Sequence, residues 1–291
     1  MNLRQLKIFM KVCEIGSMSG AAKELYMTQP AISQTIIELE ENLEVKLFER
    51  IKKKLILTHP GRILLNYSRR ILILTEEAEN TITDIAKMNQ GRLRIGASMT
   101  IGTYLLPKII KDFQTKYQNI ELPFIIDNTS VIEEMILNNK IDLALVEGPI
   151  KSTEITIKPF FDDQMIIICS PQHKWAKREL IEPSEIEEEK FITREKGSGT
   201  REVIENTLVK FNLSYQPKYI LNNIEAIKKS VEANIGISIL PEIAVKKEME
   251  EDKIVKVSIE KIDFTRKFQL IYHRDKYHSN LFNEFVNHMF S

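Results

Sequence analysis

The stretch KELYMTQPAISQTIIELEENL, residues 23–43, decides the fold of the N-terminal part of the chain. It predicts a helix that begins after Thr28, because threonine is a common N-cap and Pro30 is tolerated in the first turn, where its missing N–H would have no partner. The buried face is marked by apolar residues three and four positions apart, namely Ile32, Ile36, Leu39 and Leu43. No charged residue occurs between Pro30 and Thr35, although 28% of the chain is charged, so this part of the helix surface is unusual.

Two shorter helices are predicted before this one. The first carries apolar residues at helical spacing from Leu3 to Cys13 and ends at Gly16, and the second is capped by Ser19 and runs through Leu25. Two helices joined by a three-residue turn, the second with uncharged hydrogen-bonding groups at its start, suit a reader of the DNA major groove. The candidate base and phosphate contacts are Gln29, Pro30, Ser33 and Gln34. The alternative is a solvated polar face on a surface helix.

A basic segment follows the predicted reading helix. Residues 1–62 carry ten Lys or Arg against seven Glu, and five of those ten lie between Lys46 and Lys54. The sequence VKLFERIKKKLIL, residues 45–57, suits a hairpin with a basic tip. Its candidate phosphate contacts are Arg50, Lys52, Lys53 and Lys54. A charge run taken alone is usually a solvated loop, but its place directly after the reading helix favours a DNA-binding wing.

A long helix is predicted from Thr58 to about Met88, since Thr58 suits the N-cap and neither Gly nor Pro occurs between Arg62 and Gln90. Its apolar residues follow a coiled-coil seam with one missed turn: Leu64, Tyr67, Ile71, Leu74, Ala78 and Ile85. Packing within one chain is the alternative. The sequence offers no neighbouring helix to cover the seam, which favours a homodimer.

After Gly91 strands and helices alternate, which predicts a doubly wound α/β fold. The predicted strands are RLRIGAS, IELPFII and IDLALVEG in a first lobe, and MIIICS (Met165–Ser170), KFIT, PKYIL and IGISILP in a second. A helix is predicted from Tyr104 to Tyr117 between the first two strands. A strand near KFQLIYH and the last helix return to the first lobe. Lobe I then comprises about residues 91–162 and 266–291, and lobe II about residues 163–265. A hinged cleft is expected between them.

The chain resembles the LysR-type transcriptional regulators over its full length. The resemblance is carried by AAKELYMTQPAISQTI and LEVKLFERIKKKLILTHPG, although Ile37 stands where the family usually has Lys or Arg. It implies a winged helix-turn-helix at residues 1–60, a linker helix that forms a dimer at 61–90, and a periplasmic-binding-protein-like effector-binding domain at 91–291. It also implies a tetramer in many members, and bending of double-stranded promoter DNA under control of a small-molecule co-inducer. The resemblance also adds Thr28 to the candidate DNA contacts. RNA polymerase is a further candidate partner.

Hydroxyl and glycine residues follow strand ends in both lobes. Helix N-termini offer N–H groups and a positive dipole end to an anion. We therefore expect a small anionic effector to contact Ser98, Met99, Thr100, Thr129, Ser198, Gly199, Thr200 and Arg201. The alternative is that the hydroxyls are ordinary helix caps. GASMTIGTYLLP and REKGSGTRE resemble the branch of the family associated with sulfur and carbon assimilation, which favours a sulfur oxyanion or a related small metabolite as the effector.

Other classes of function fit the sequence less well. Cys13 and Cys169 lie far apart in apolar surroundings and the five His show no ligand spacing, so we expect neither a disulfide nor a metal site. Without P-loop spacing, a GxSxG motif or an acid–base pair at the cleft, we expect no catalysis and no cofactor. The chain has neither a signal peptide nor an apolar run of about eighteen residues, so we expect a cytoplasmic protein without membrane contact. An architectural DNA-binding protein without an effector would leave the α/β part unexplained.

Overall fold

The N-terminal part of the protein consists of helices and a two-stranded hairpin. The computed structural model describes residues 1–51, 54–86 and 91–290, and the chain divides into two units, residues 1–88 and 89–291. The elements of the first unit are α1 (Leu3–Ile15), α2 (Met18–Glu24), α3 (Gln29–Leu43), β1 (Phe48–Ile51), β2 (Lys54–Leu57) and α4 (His59–Ala86).

The starts of α2 and α3 follow from side-chain caps. Thr28 caps α3 as predicted, because its Oγ1 accepts a hydrogen bond from the N–H of Ala31 at 3.4 Å. The cap of α2 is Ser17, whose Oγ accepts from the N–H of Gly20 at 3.3 Å. The prediction of Ser19 as this cap is therefore wrong, and Ser19 lies within the first turn.

The first three helices share one apolar core. Its fully buried members are Ile8, Phe9, Val12, Ala21, Ala22, Ile32, Ile36, Leu39 and Leu47. Leu43, the last residue of the predicted buried face of α3, packs against this core from a partly buried position. The three-and-four spacing of apolar residues thus correctly identified the inner face of α3.

Helix α1 packs against α4, which corrects the expectation that no helix of the same chain would cover the linker helix. Leu64 of the predicted seam packs against the core of the first unit, and Ser68 beside it is fully buried. Other apolar side chains of α4 stay exposed, namely Ile63, Tyr67, Leu74 and Ile82. The side chain of Ile85 and residues 87–90 lie outside the described part.

The second unit is an α/β structure. Its strands are β3 (Gly91–Arg92), β4 (Ile95–Ser98), β5 (Ile120–Glu121), β6 (Phe124–Asp127), β7 (Leu143–Val146), β8 (Ile155–Cys169), β9 (Leu180–Ile181), β10 (Phe191–Arg194), β11 (Pro217–Leu221), β12 (Ser238–Pro241), β13 (Val255–Ile259) and β14 (Phe264–His273). Its α-helices are α5 (Met99–Tyr104), α6 (Leu106–Lys116), α7 (Thr129–Leu137), α8 (Gly199–Lys210), α9 (Ile224–Glu232), α10 (Glu242–Glu250) and α11 (Asn280–Met289). A 3-10 helix spans Pro183–Glu188.

Two long antiparallel strands connect the lobes. The main sheet has the order β6-β4-β7-β14-β8-β13-β9, with β12 also paired to β8. Strands β8 and β14 pair from Met165 opposite Phe264 to Ile155 opposite His273. The predicted strand at Met165–Ser170 is therefore too short, since β8 already begins at Ile155.

Each lobe has its own apolar core. Phe113, Phe268 and Phe285 are fully buried in lobe I, and Trp175 and Phe191 are fully buried in lobe II. In the described part of the chain, no helix is long and apolar enough to span a membrane.

The start of the helical segment after β4 differs from the prediction. A helix from Tyr104 to Tyr117 was expected, but α5 begins at Met99, directly after the strand, and α6 continues the chain from Leu106. Thr100 therefore lies inside the first turn of a helix rather than in a loop that leads to it. This position brings it to the boundary between the lobes.

Candidate DNA-binding surface and interlobe cleft

The side chains at the start of α3 face solvent. Gln29, Pro30 and Gln34 are exposed, Ser33 is half-buried, and Thr28 is exposed although it caps the helix. The Gln34 amide also donates to Glu38 at 3.2 Å. Exposed amide groups and a proline ring are suited to contacts with base edges and methyl groups in a DNA groove.

The predicted wing is a two-stranded antiparallel hairpin. In its register Arg50 pairs with Leu55 and Ile51 pairs with Lys54. Arg50 and Lys54 are both exposed on this hairpin. Lys52 and Lys53, the predicted tip, lie outside the described residues.

Glu40 joins the wing to α3, a role that the sequence analysis missed. Its carboxylate accepts hydrogen bonds from the N–H groups of Leu47 at 2.9 Å and Phe48 at 3.2 Å. It also pairs with the Lys46 ammonium at 2.7 Å. Glu40 is only 7% exposed. In the sequence, the signal for its role was a carboxylate directly after Leu39 of the buried face. The hairpin is thereby held in a defined position relative to α3.

The second unit brings its two lobes into backbone contact beside the predicted effector residues. A Cβ atom placed on Gly199 of lobe II would lie 2.6 Å from the Cα of Gly148 in lobe I. Next to this point the N–H of Ser130 donates to the carbonyl of Gly197 at 3.2 Å. Glycine at both 148 and 199 is what permits such close approach.

The predicted hydroxyl residues lie within or directly before the starts of α5, α7 and α8. We call them the hydroxyl cluster: Ser98, Thr100, Thr129, Ser198 and Thr200, each no more than 2% exposed. Ser98 and Ser198 precede α5 and α8, but neither side chain makes a capping hydrogen bond. Asn128, not Thr129, caps α7. The alternative that these hydroxyls are ordinary caps is therefore not supported for these three residues.

Arg266 is the cation in contact with the hydroxyl cluster. Its Nη1 donates to Thr200 Oγ1 at 2.9 Å and its Nη2 to Thr100 Oγ1 at 3.5 Å. Its Nε donates to Asp163 at 2.7 Å, so the guanidinium is fixed between both lobes. Arg266 was not among the predicted site residues. The signal was its place in β14, where alternate residues face inward and Arg266 shares that face with Phe264 and Phe268.

Arg201, the predicted cation, makes its hydrogen bonds within lobe II. Its Nε donates to Glu205 at 2.7 Å and its Nη1 donates to the carbonyl of Arg194 at 3.1 Å. The contact of Arg201 with an effector stays a prediction. Met99 of the predicted set packs, partly buried, against the core of lobe II.

Three buried polar atoms around the cluster have no hydrogen-bond partner among the described residues. They are Thr129 Oγ1, Glu147 Oε2 and Arg194 Nη1. The other oxygen of Glu147 accepts from the N–H of Thr100 at 3.4 Å. Burial raises the pKa of Glu147, and Arg266 opposes this shift. Buried polar atoms without partners are rare in folded proteins, so a bound polar ligand would account for them.

Comparison with known proteins identifies the family. A family model described as bacterial regulatory helix-turn-helix protein, lysR family, matches residues 3–62, and one described as LysR substrate binding domain matches residues 86–290. The chain belongs to the LysR family. It is a DNA-binding transcriptional regulator, in agreement with the resemblance that its sequence suggested.

Relatives of this LysR-type regulator cover its full length. It is 34% identical to a probable RuBisCO transcriptional regulator of Phaeodactylum tricornutum, over 99% of this chain and 95% of the relative. The regulatory domain of Synechocystis PCC6803 CcmR, solved in complex with 2-PG, is 27% identical with a TM-score of 0.65, over 69% of this chain and 96% of that one. Full-length OxyR from Pseudomonas aeruginosa, 19% identical over 99% of this chain and 94% of that one, has the same fold with a TM-score of 0.72.

The described part of the regulator contains no group of three or more His, Cys, Asp or Glu residues that could hold a metal ion. The cysteine thiols are buried to different degrees, and burial raises the pKa of Cys13 to about 12 and that of Cys169 to about 11. Thiols with raised pKa values are poor nucleophiles at neutral pH.

Proposed function

We propose that this regulator binds a small anion between its lobes and that the anion changes how it binds and bends promoter DNA. The observation that carries the proposal is the buried hydroxyl cluster, which both lobes supply and which Arg266 contacts from the strand that connects them. The proposed contacts are the hydroxyl cluster together with Met99, Gly199, Arg201, Arg194 and Arg266.

The burial of the cluster supports a small ligand. Hydroxyl groups, backbone N–H groups of α8 and guanidinium groups are the donors that bind oxyanions and carboxylates. The CcmR regulatory domain was solved with 2-PG, which supports a small-molecule effector for this chain as well. A sulfur oxyanion or a related small metabolite is the effector that we favour from the sequence.

Helix α5 offers a physical connection between the effector and the relative position of the lobes. Thr100 lies at its start in the hydroxyl cluster, and Tyr104 at its end donates to Glu225 of lobe II at 3.2 Å. An effector can change DNA binding only if it binds one arrangement of the lobes more tightly than another. We propose that this preferred arrangement is the closed one, in which Gly148 and Gly199 touch.

On DNA, we propose that the start of α3 reads bases while the wing holds phosphates. Exposure of Gln29 and Gln34 on α3 and of Arg50 and Lys54 on the hairpin supports this division. A regulator of this kind acts in the cytoplasm and has no enzyme activity of its own. RNA polymerase is a further proposed partner.

We also propose that the exposed apolar side chains of α4 form a homodimer interface, with tetramers built from such dimers. Leu74 and Ile82 are 64% and 70% exposed, whereas Leu64 and Leu65 near the start of the same helix pack against the core of the first unit. A second copy of the same helix fits such a stripe. Leu74→Lys should convert the protein to monomers in sedimentation velocity, whereas Asn80→Lys, an exposed site on the same helix, should leave the dimer intact. A stable Leu74→Lys dimer would contradict this interface.

The effector proposal is tested by thermal-shift titration of the full-length protein. The panel comprises sulfite, sulfate, thiosulfate, phosphate, O-acetylserine and a few phosphorylated sugars. A ligand at a hundred times its Kd stabilises the folded state by about 2.7 kcal/mol. A shift with one small anion that also alters promoter binding is the expected result. No shift with any anion would mean that the cleft binds a neutral metabolite or none, and would refute the proposal.

A further inference from the structure

Glu147 is a buried carboxylate at the proposed anion site. It follows β7 directly, is 3% exposed, and precedes Gly148, which touches Gly199 of the other lobe. Its Oε1 already accepts the N–H of Thr100, while its Oε2 has no hydrogen-bond partner among the described residues. One acceptor oxygen is thus left for a group that comes from outside the protein.

The charged groups that face Glu147 do not neutralise it. Arg266 on β14 is paired with Asp163 on β8 at 2.7 Å. Arg194 at the end of β10 is paired with Glu195 at 2.8 Å. Each guanidinium is therefore already paired with another carboxylate, and Glu147 adds one further carboxylate to this region. The starts of α5, α7 and α8 contribute uncharged hydroxyl groups to this region, those of Thr100, Thr129, Ser198 and Thr200.

A carboxylate and a fully ionised anion cannot share a buried site without a proton between them, because like charges at short distance repel strongly. We propose that Glu147 makes the cleft selective for anions that carry their own hydrogen-bond donor. Glu147 Oε2 accepts the hydrogen bond from that donor. This inference rests on the proposed function, since it specifies which anions the same site binds. Burial raises the pKa of Glu147 because the ionised carboxylate has lost its water, and a donor on the ligand would replace that water.

The chemical class of the effector follows from this requirement. Hydrogen phosphate, phosphate monoesters in their protonated form, hydrogen sulfite, and hydroxy or amino acids all bring a donor. Sulfate and thiosulfate bring none at neutral pH. Arg194 Nη1 and Thr129 Oγ1, both without partners among the described residues, are available for the remaining oxygens of the ligand. A site with a buried acceptor for one hydrogen-bond donor discriminates strongly against an analogue without that donor.

Inorganic phosphate and sulfate are the matched probes, because both are tetrahedral and only phosphate retains a proton at neutral pH. Their Kd values for the full-length protein are measured by calorimetry between about pH 6 and pH 9, in two buffers with different ionisation enthalpies. We expect phosphate to bind at least about tenfold more tightly than sulfate at the upper end of this range. We also expect sulfate to take up one proton, so that its Kd rises about tenfold per pH unit above the pKa of Glu147.

Glu147→Gln removes the charge and keeps the shape. In this variant the sulfate Kd should become independent of pH, and the preference for phosphate should fall at least about tenfold. Glu133→Gln is the control, since Glu133 is another buried glutamate of lobe I whose Oε1 instead accepts the N–H groups of Lys151 and Ser152. It should leave the preference unchanged.

The outcomes separate this inference from the proposed function. If sulfate binds as tightly as phosphate at every pH and takes up no proton, the donor requirement is wrong while the anion site stands. If neither these probes nor any anion of the panel binds, both proposals fail. Should Glu147→Gln fold poorly, the wild-type proton uptake and phosphate preference decide the question without it.

Discussion

The guanidinium of Arg266 donates a hydrogen bond to the hydroxyl of Thr200 across 2.9 Å. Arg266 lies on β14, which runs through both lobes, whereas Thr200 lies in the first turn of α8 in lobe II. The same guanidinium also reaches Thr100 in lobe I. One side chain therefore contacts the starts of two helices from different lobes, and a change in the distance between the lobes has to break or bend one of these bonds.

Arg266→Lys should weaken effector binding by at least about tenfold, because an ammonium keeps the charge beside Asp163 but cannot bond both hydroxyls as the planar fork does. The effect should appear in the Kd for the anion identified in the thermal-shift panel. Arg201→Lys is the matched comparison and should change this Kd less, since Arg201 bonds to Glu205 and to the carbonyl of Arg194. A larger loss in Arg201→Lys would return the role of anion-binding cation to Arg201.

Gly199→Ala should keep the lobes from closing. The added Cβ would lie 2.6 Å from both Gly148 Cα and Thr129 Oγ1, and a backbone atom at that distance cannot yield without moving its lobe. We expect effector affinity to fall at least about tenfold while thermal stability changes little, since alanine suits a helix start better than glycine. Gly91→Ala is the control, because its Cβ would meet only the end of the Leu281 side chain. Unchanged affinity in Gly199→Ala would argue that the effector does not require this contact.

The N-terminal unit was predictable because its signals are local. The cap at Thr28, the proline two residues later and the apolar spacing of α3 all lie within fifteen residues of one another, and each acts through hydrogen bonds or packing of the same helix. The error at α2 has a local cause too, since Ser17 and Ser19 are both competent caps and sequence alone does not decide which one accepts the N–H of Gly20.

The cleft was predictable only in part, because its charges come from distant segments. The partners of Arg266 are Asp163, Thr200 and Thr100, which lie 103, 66 and 166 positions away in the chain. Hydroxyl residues after strand ends indicated where the lobes meet, and the alternation in β14 places Arg266 on an inward face, but neither pattern shows that Arg266 reaches these hydroxyls. The first half of β8 was missed for a related reason: its side chains are largely exposed and include Asp162, so the apolar alternation that marks a strand is weak there.

Asp142→Asn should destabilise the second unit by roughly 2 kcal/mol, because it removes charge-assisted hydrogen bonds to two half-buried cations, Arg94 and Lys276. Asp142 accepts hydrogen bonds from the N–H of Arg94 at 2.8 Å and from the Lys276 ammonium at 2.8 Å. Chemical denaturation at neutral pH measures the free energy of unfolding. Asp112→Asn, exposed on α6, should stay within about 0.5 kcal/mol of wild type.

The same carboxylate predicts a pH dependence. Burial acts to raise the pKa of Asp142, but hydrogen bonds from Arg94 and the charge of Lys276 outweigh it and hold the pKa below the ordinary value of 3.8. A carboxyl with a lowered pKa contributes stability that is complete above its unfolded pKa and is lost as the pH falls through its folded pKa. Stability of wild type should therefore fall more steeply below about pH 4 than that of Asp142→Asn. Parallel curves for the two proteins would contradict this assignment.

Gln29→Ala and Lys54→Ala should affect DNA binding in different ways. Gln29 is exposed at the start of α3, so its loss should reduce discrimination between the preferred and a mutated site by about 1–3 kcal/mol. Lys54 is exposed on the wing, so its loss should weaken binding to all sequences and reduce the slope of log K against log salt by about 0.9.

The measurement uses two DNA probes, each titrated at several salt concentrations. One is a binding site selected from a random DNA pool, and the other is a duplex of scrambled sequence. Lys108→Ala, which removes one exposed charge from α6 in the second unit, controls for the change in net charge and should leave both quantities unchanged. The division of roles has a physical basis, because a neutral amide contributes little to counterion release while an ammonium bonded to phosphate carries no base information. Equal losses of discrimination from Gln29→Ala and Lys54→Ala would contradict the assignment of base recognition to α3 and of phosphate binding to the wing.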